Sequence, residues 1–328
     1  MVNKLGLLYN HQGKFKEAEE MYKRALEGKE KALGPHHTST LMTVNNLGLL
    51  YSDQGKVKEA EEMYKRALEG YEKALGPHHT PTLDIVNNLG LLYKAQGKFK
   101  EAEEMYERAL EGKEMVLGPD HPSTLMTVNN LGLLYSDQGK VKEAEEMYKR
   151  ALYGFQNALG PHHTPTLDII NNLGLLYRAQ GKFKEAEEMY ERALEGKEMG
   201  LGPDHPSTLM TVNNLGLLYS DQGKFMEAEE MYKRALYGFQ TALGPNHPKS
   251  SLVMRNMESL QRIKGNTSHH FPLIAKGDLT GSAEISTNKE SKETKSTDGP
   301  KAPGRLAAKF RGIFKNSRRA KRPNESPE

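Results

Sequence analysis

Tyr9, Tyr51, Tyr93, Tyr135, Tyr177 and Tyr219 stand at a constant interval of 42 residues, and the text around each is nearly the same. LGLLY is followed by QGK, EAEEMY, RAL and LGP in every copy. A period of this size argues against a single globular core and for a stacked array. Each unit of such an array packs mainly on its neighbours and adds to one long surface. That surface, rather than a closed catalytic pocket, is where function is to be sought.

Composition narrows the classes further. The chain has 328 residues, a formal net charge of +3 and no cysteine, so disulfide and thiolate chemistry are excluded. No apolar run approaches the roughly 20 residues that span a bilayer. The opening MVNKLGLLYN lacks the layout of a secretory signal. The expectation is a cytoplasmic protein, with a nuclear location open through its basic C-terminal end.

One repeat read as physics gives a helical hairpin. In residues 80–118, Thr80 is expected to cap a first helix with Pro81 in its opening turn. Leu83, Val86, Leu89 and Tyr93 then follow at the spacing of one helical face, and Gly97 stops the helix. The second helix, from about Lys98 to Leu117, is expected to bury Phe99, Ala102, Met105, Tyr106, Ala109, Leu110 and then Met115 to Leu117. On its outer face Glu104 and Arg108, like Glu62 and Arg66, are one turn apart and are expected to pair, each worth about 0.2–0.5 kcal/mol. Gly90, inside the first helix, costs about 1 kcal/mol against alanine, so its recurrence calls for a close approach. Ala102 and Ala109 are the expected small partners. Gly112 recurs as well and is expected to meet the next repeat.

The repeats divide as 1–35, 36–77, 78–119, 120–161, 162–203 and 204–247. Residues 248–263 align with a further first helix. There Met254 and Met257 take the packing positions, while Glu258 and Gln261 replace the glycine and tyrosine, as a solvating cap requires. At the other end, repeat 1 lacks the start of its first helix. This predicts a fragment, a truncated reading frame or a surface that pairs with something else. Residues 84–152 and 168–236 are nearly identical, which points to duplication of a two-repeat unit.

Leu89-Gly90, Tyr93, Ala102, Tyr106 and Ala109 resemble the tetratricopeptide (TPR) pattern of L-G, aromatic, A, aromatic, A. The longer period, the LGP-x-HP linker and NNLGLLY…QGK(F/V)KEAEEMY(K/E)RAL resemble the repeats of kinesin light chains, over about 1–263. Related repeats occur in fungal and bacterial signalling proteins behind a nucleotide-binding domain. The resemblance implies an all-α, right-handed α-solenoid. It also implies a non-catalytic scaffold or adaptor that holds extended peptide segments of other proteins in a groove lined by the first helices.

By that resemblance the groove positions are Asp84, Asn87, Leu91 and Lys94 in repeat 3, and Asp168, Asn171, Leu175 and Arg178 in repeat 5. Repeat 4 contributes Asn129, Leu133 and Asp137. Asn45, Asn87, Asn129, Asn171 and Asn213 form a ladder whose amides either grip a peptide backbone, as the matching asparagine does in kinesin light chains, or bond neighbouring helices. Leucine at 91, 133 and 175 stands where chaperone-type TPR clamps carry asparagine, which disfavours capture of a terminal carboxylate.

Catalytic signatures are missing. QGK is followed by Val or Phe rather than Ser or Thr, so it is no phosphate loop, and neither HExxH nor GxSxG occurs. The histidines recur in the linkers, spaced for turns and caps rather than for a metal. No cofactor, metal or small-molecule substrate is expected. From about residue 264 the composition turns to Ser, Thr, Lys, Gly and Pro, which predicts disorder through 328. Within it, an amphipathic helix is expected over 305–319. Leu306, Phe310, Ile313 and Phe314 share a face flanked by Lys309, Arg311 and Lys315. This fits a solubilising tail, an anionic membrane surface, a helix-binding partner or the chain's own groove, and the RRAKR run also suits nuclear import, with nucleic acid disfavoured.

Overall fold

The computed structural model describes residues 2–268, and among them there are thirteen helices and no strand. The helices are α1 (Val2–His11), α2 (Phe15–Leu33), α3 (Thr38–Asp53), α4 (Val57–Leu75), α5 (Thr80–Ala95), α6 (Phe99–Leu117) and α7 (Pro122–Asp137). They continue as α8 (Val141–Ala158), α9 (Thr164–Ala179), α10 (Phe183–Leu201), α11 (Pro206–Asp221), α12 (Phe225–Leu243) and α13 (Pro248–Ser268). Odd and even helices pair into six antiparallel hairpins, each packed on the next, and α13 takes the place of a seventh first helix. The array is an α-solenoid. Helix α13 runs to Ser268, beyond the boundary at 263 that the sequence suggested.

Local chemistry fixes both turns of the hairpin. Within each hairpin a glycine such as Gly97 (φ 72°) holds the left-handed turn, and between hairpins Gly118 (φ 91°) does so. The Thr124 hydroxyl then donates to the Gly118 carbonyl at 2.8 Å, and its counterparts in the other linkers do the same. The cap of α5 is His79 rather than Thr80, which is already helical. Nδ1 of His37, His121 and His205 accepts the N–H of Ser39, Ser123 and Ser207 at 3.1–3.2 Å. His79 and His163 make no such bond because Pro81 and Pro165 stand two residues on and have no N–H.

The core runs along the array as a row of second-helix tyrosines, Tyr22, Tyr64, Tyr106, Tyr148, Tyr190 and Tyr232, all but shut off from solvent. These rings are what the first-helix glycines accommodate. A Cβ on Gly90 would lie 2.7 Å from the Tyr106 ring, so the close partner is that ring and not Ala102 or Ala109. Likewise Gly112 faces Leu83 of its own repeat at 2.5 Å, not the next repeat. The first-helix tyrosines are less buried. Each lies beneath the lysine of the following QGK turn, 5.0–5.8 Å from ring centre to Nζ. Arg66 and Arg108 also differ from expectation: they reach Glu30 and Glu72 of the preceding repeat, and Met115 and Val116, expected in the buried stripe, are exposed because the last turn of α6 runs past the neighbouring helices. In α13 the buried positions are Ser250, Val253 and Leu260; Met257 packs on the core as expected, Met254 is half-buried outside the cluster, and Glu258 and Gln261 are exposed.

Two kinds of junction alternate along the stack. From an odd to an even repeat the contact is polar. Lys113 is 3 % exposed, with Nζ 2.8 Å from Asp84 and 3.3 Å from the Thr127 hydroxyl. Lys197 repeats this with Asp168 (2.7 Å) and Thr211 (3.2 Å). From an even to an odd repeat the lysine position is aromatic, and Tyr71 packs in one apolar cluster with Ile85, Phe239 in another with Val253. Phe155 and Ile169 hold the same places, 1 % and 2 % exposed.

Candidate functional site

The exposed face of the first helices carries the residues that the sequence singled out. Each of α3, α5, α7, α9 and α11 has an Asn-Asn doublet. The Oδ1 of the first asparagine accepts a hydrogen bond from Nδ2 of the second asparagine one repeat further on. Asn88 donates to Asn45 at 3.1 Å, Asn130 to Asn87 at 3.0 Å and Asn172 to Asn129 at 2.9 Å. Asn214 donates to Asn171 at 3.1 Å and Asn256 of α13 to Asn213 at 2.9 Å. A continuous rail of amides thus crosses five junctions. Asn87, Asn129 and Asn171 are 9 %, 7 % and 8 % exposed. With Oδ1 engaged, their Nδ2 groups donate to no other described residue, yet they are not sealed from solvent. The ladder is therefore structural on its acceptor side, while its donor side makes no hydrogen bond among the described residues and Asn213, at 1 % exposure, is the most enclosed.

The charges of this face meet one another. Lys94 lies 2.7 Å from Asp137, and Arg178 Nε 2.6 Å from Asp221, each bridging adjacent repeats. Asp84 and Asp168 are held by the buried Lys113 and Lys197. Of the charged positions picked from sequence, Asp84, Lys94, Asp137, Asp168 and Arg178 all lie in internal ion pairs. The apolar positions are the free ones. Leu91 is 41 % exposed, Leu133 and Leu175 are half-buried, and Met42 and Met126 are exposed beside them.

Between α5, α7 and α9 the face deepens into a cleft of about 370 Å³. Asp84, Asn87, Lys113, Met126, Phe155 and Pro165 are among its walls. It lies where a polar junction adjoins an apolar one. Ion-paired polar groups on one side and apolar surface on the other suit an apolar or amphipathic side chain of a ligand.

Outside this face, the first-helix tyrosines Tyr51, Tyr93 and Tyr177 join the lysine of their own repeat and a glutamate of the preceding one. The Tyr51, Tyr93 and Tyr177 hydroxyls donate to Glu19, Glu61 and Glu145 at 3.2–3.3 Å. Burial works to raise the Glu19 carboxyl, but hydrogen bonds from Lys23 and Lys56 outweigh it and hold the group at about 2. Tyr219 is pushed up to about 12, first by burial and then by Glu187. These groups bind repeat to repeat.

Two features escaped the sequence reading. The second asparagine of each doublet was passed over, although the doublet itself was the signal. The buried lysines were also missed, although Asp84 goes with Lys113 and Asp168 with Lys197, whereas Met42, Met126 and Met210 go with Tyr71, Phe155 and Phe239. Among the described residues no three His, Asp or Glu side chains converge as metal ligands would. No described helix is long and apolar enough to cross a membrane. Leu306, Lys309, Phe310, Arg311, Ile313, Phe314 and Lys315 lie outside the described residues.

Comparison with known proteins matches this architecture. A family model described as tetratricopeptide repeat matches residues 1–73, 41–115, 81–153 and 124–199, and a second of the same description matches 208–249. Among solved structures, BtubC (BKLC) from P. vanneervenii is 23% identical, with a TM-score of 0.56 over 84% of this chain and 99% of that one. A putative kinesin light chain from Podosopora anserina with nearly identical TPR-like repeats is 27% identical. Its TM-score is 0.51 over 62% of this chain and 97% of its own. A Rap protein complexed with Competence and Sporulation Factor is 16% identical, with a TM-score of 0.54 over 81% of this chain and 75% of that one. A search of the curated proteins gives no match.

Proposed function

The chain belongs to the tetratricopeptide-repeat family, with repeats of the kinesin-light-chain type, and from that premise we propose that it is a non-catalytic scaffold that holds extended peptide segments of other proteins along its first helices. The observation that carries this reading is the half-open asparagine rail. Its donors Asn87, Asn129 and Asn171 recur once per repeat, as a row that bonds backbone carbonyls must. Leu91, Met126, Leu133 and Leu175 stand beside them to take apolar side chains. Internal pairing of Asp84, Lys94, Asp137, Asp168 and Arg178 supports ligands bound by backbone and apolar contacts, with modest affinity per repeat summed along the row.

Replacing the asparagines with alanine is a poor test, because it also strands the donors of Asn130, Asn172 and Asn214, the first and last of them buried. Leu91→Arg combined with Leu133→Arg blocks the face from exposed or half-buried positions and leaves the rail intact. Loss of peptide capture with unchanged helicity by circular dichroism is the expected result. Capture unaffected by the double substitution would place the binding surface elsewhere.

A further inference from the structure

At one end of this face the charge pattern breaks. Helix α13 continues the row of first helices and receives the rail through Asn256, but the place of the ladder asparagine is taken by Arg255. Arg262 stands where Lys94 and Arg178 stand in their repeats, yet among the described residues no aspartate lies one repeat further on to meet it. Both arginines are exposed, and among the described residues neither enters an ion pair or hydrogen bond. The one acid on α13, Glu258, is exposed and makes no ion pair with them. In repeat 2 the sign is opposite: the Asp53 carboxylate meets only the Asn10 amide, at 2.9 Å, where its counterparts Asp137 and Asp221 meet cations. The face is anionic at repeat 2, internally neutralised through the middle, and cationic at α13.

We infer that α13 is a specificity site: Arg255 and Arg262 receive acidic side chains of the bound segment, so that the face selects extended peptides with Asp or Glu at the end lying on α13. This rests on the peptide-scaffold reading above. An exposed, uncommitted guanidinium needs little reorganisation to form charge-assisted, bidentate bonds with a carboxylate. The two arginines are seven residues apart on one helix, about 10 Å along its axis, so they receive separate carboxylates. Acidic side chains opposite Lys94 or Arg178 would instead have to displace Asp137 or Asp221.

The test is selection of a phage-displayed random 12-residue peptide library on the full chain and on the Arg255→Glu, Arg262→Glu double variant. Display through the peptide's C-terminus leaves only side-chain carboxylates to be read. The wild-type pool is expected to be enriched in Asp and Glu, and its best synthetic peptide to bind the double variant at least about tenfold more weakly. Arg255→Lys is expected to retain most of the binding. Both arginines are exposed, so helicity and melting are expected to be unchanged. A pool whose clones depend on Leu91 and Leu133 but carry no acid enrichment, or bind the double variant equally well, overturns the inference and spares the scaffold reading. A pool in which no clone is sensitive to Leu91→Arg with Leu133→Arg overturns the scaffold reading itself.

Discussion

The junction between repeats 3 and 4 and that between repeats 4 and 5 join helices in the same way but hold them by different physics. In the first, Lys113 is buried and bridges Asp84 and Thr127 across the repeats. In the second, Phe155 fills the equivalent place, and it and Ile169 are buried. In repeats 2 to 6 the aspartate and lysine change together with methionine and aromatic, so each of these carries one complete solution; in repeat 1 the half-buried Lys29 meets only the Ser39 carbonyl and the Thr43 hydroxyl. A buried cation without its anion, or an aromatic beside an exposed carboxylate, would be the alternative. The repeating unit is in this sense two hairpins long, and its register is fixed by an ion pair at one junction and by shape at the other. Buried polar groups used to set register are a known device, and they need not be the stronger contact.

Substitutions at the two junctions separate these roles. Phe155→Ala is expected to have the largest effect, a loss of about 3–5 kcal/mol in urea unfolding, because the ring is almost wholly buried. At the polar junction the two partners should differ. Asp84→Ala leaves Lys113 buried with only a hydroxyl and is expected to lose about 2–4 kcal/mol. Lys113→Met leaves Asp84, whose side chain is half in solvent, free to hydrate, with an expected loss of about 1 kcal/mol or less. Equal losses at Asp84 and Lys113 would contradict the assignment of the buried partner.

The sharpest comparison converts one junction into the other. Asp84→Met with Lys113→Phe reproduces the pair found in repeat 4. It is expected to recover most of what Asp84→Met alone loses, giving a favourable coupling of about 1 kcal/mol or more in a double-mutant cycle. Additive losses would mean that the alternation is inherited without a packing reason.

The smallest effect is in the acid limb. Glu19 has its carboxyl lowered from 4.5 to about 2 by Lys23 and Lys56, against burial. A lowered carboxylate stabilises the fold fully above pH 4.5, and that contribution is lost as pH falls towards 2. Glu19→Gln is expected to flatten the pH dependence of stability in this window and leave its slope near neutrality unchanged. Scanning the urea midpoint from pH 5 to pH 2 checks the sign.

Much of this fold was legible because the sequence repeats its own punctuation. Gly97 and Gly118 ended helices where they were expected to, and the hairpin followed from two periodicities. What was illegible lay between repeats. Arg108 was read against Glu104 on its own helix, but reaches Glu72 of the preceding repeat, because helix stacking brings residues 36 apart within a bond length. Gly90 was read correctly as a close approach, but its partner is the Tyr106 ring, a large side chain that lies flat over the glycine. The ladder asparagines were identified with both of their roles left open. Only the coordinates divide those roles between Oδ1, bound to the next repeat, and Nδ2, free of it. The ion pairs of Lys94 and Arg178 were hidden for the same reason as that of Arg108.

The central claim is that the free Nδ2 groups of the rail meet a bound peptide backbone. Side-chain amide NMR of asparagine-labelled protein, titrated with a peptide selected on the full chain, tests it most directly. The account predicts that the Asn87, Asn129 and Asn171 amide signals shift on binding while those of Asn130, Asn172 and Asn214, already bonded across the junctions, move little. Binding that leaves all six signals in place would contradict it.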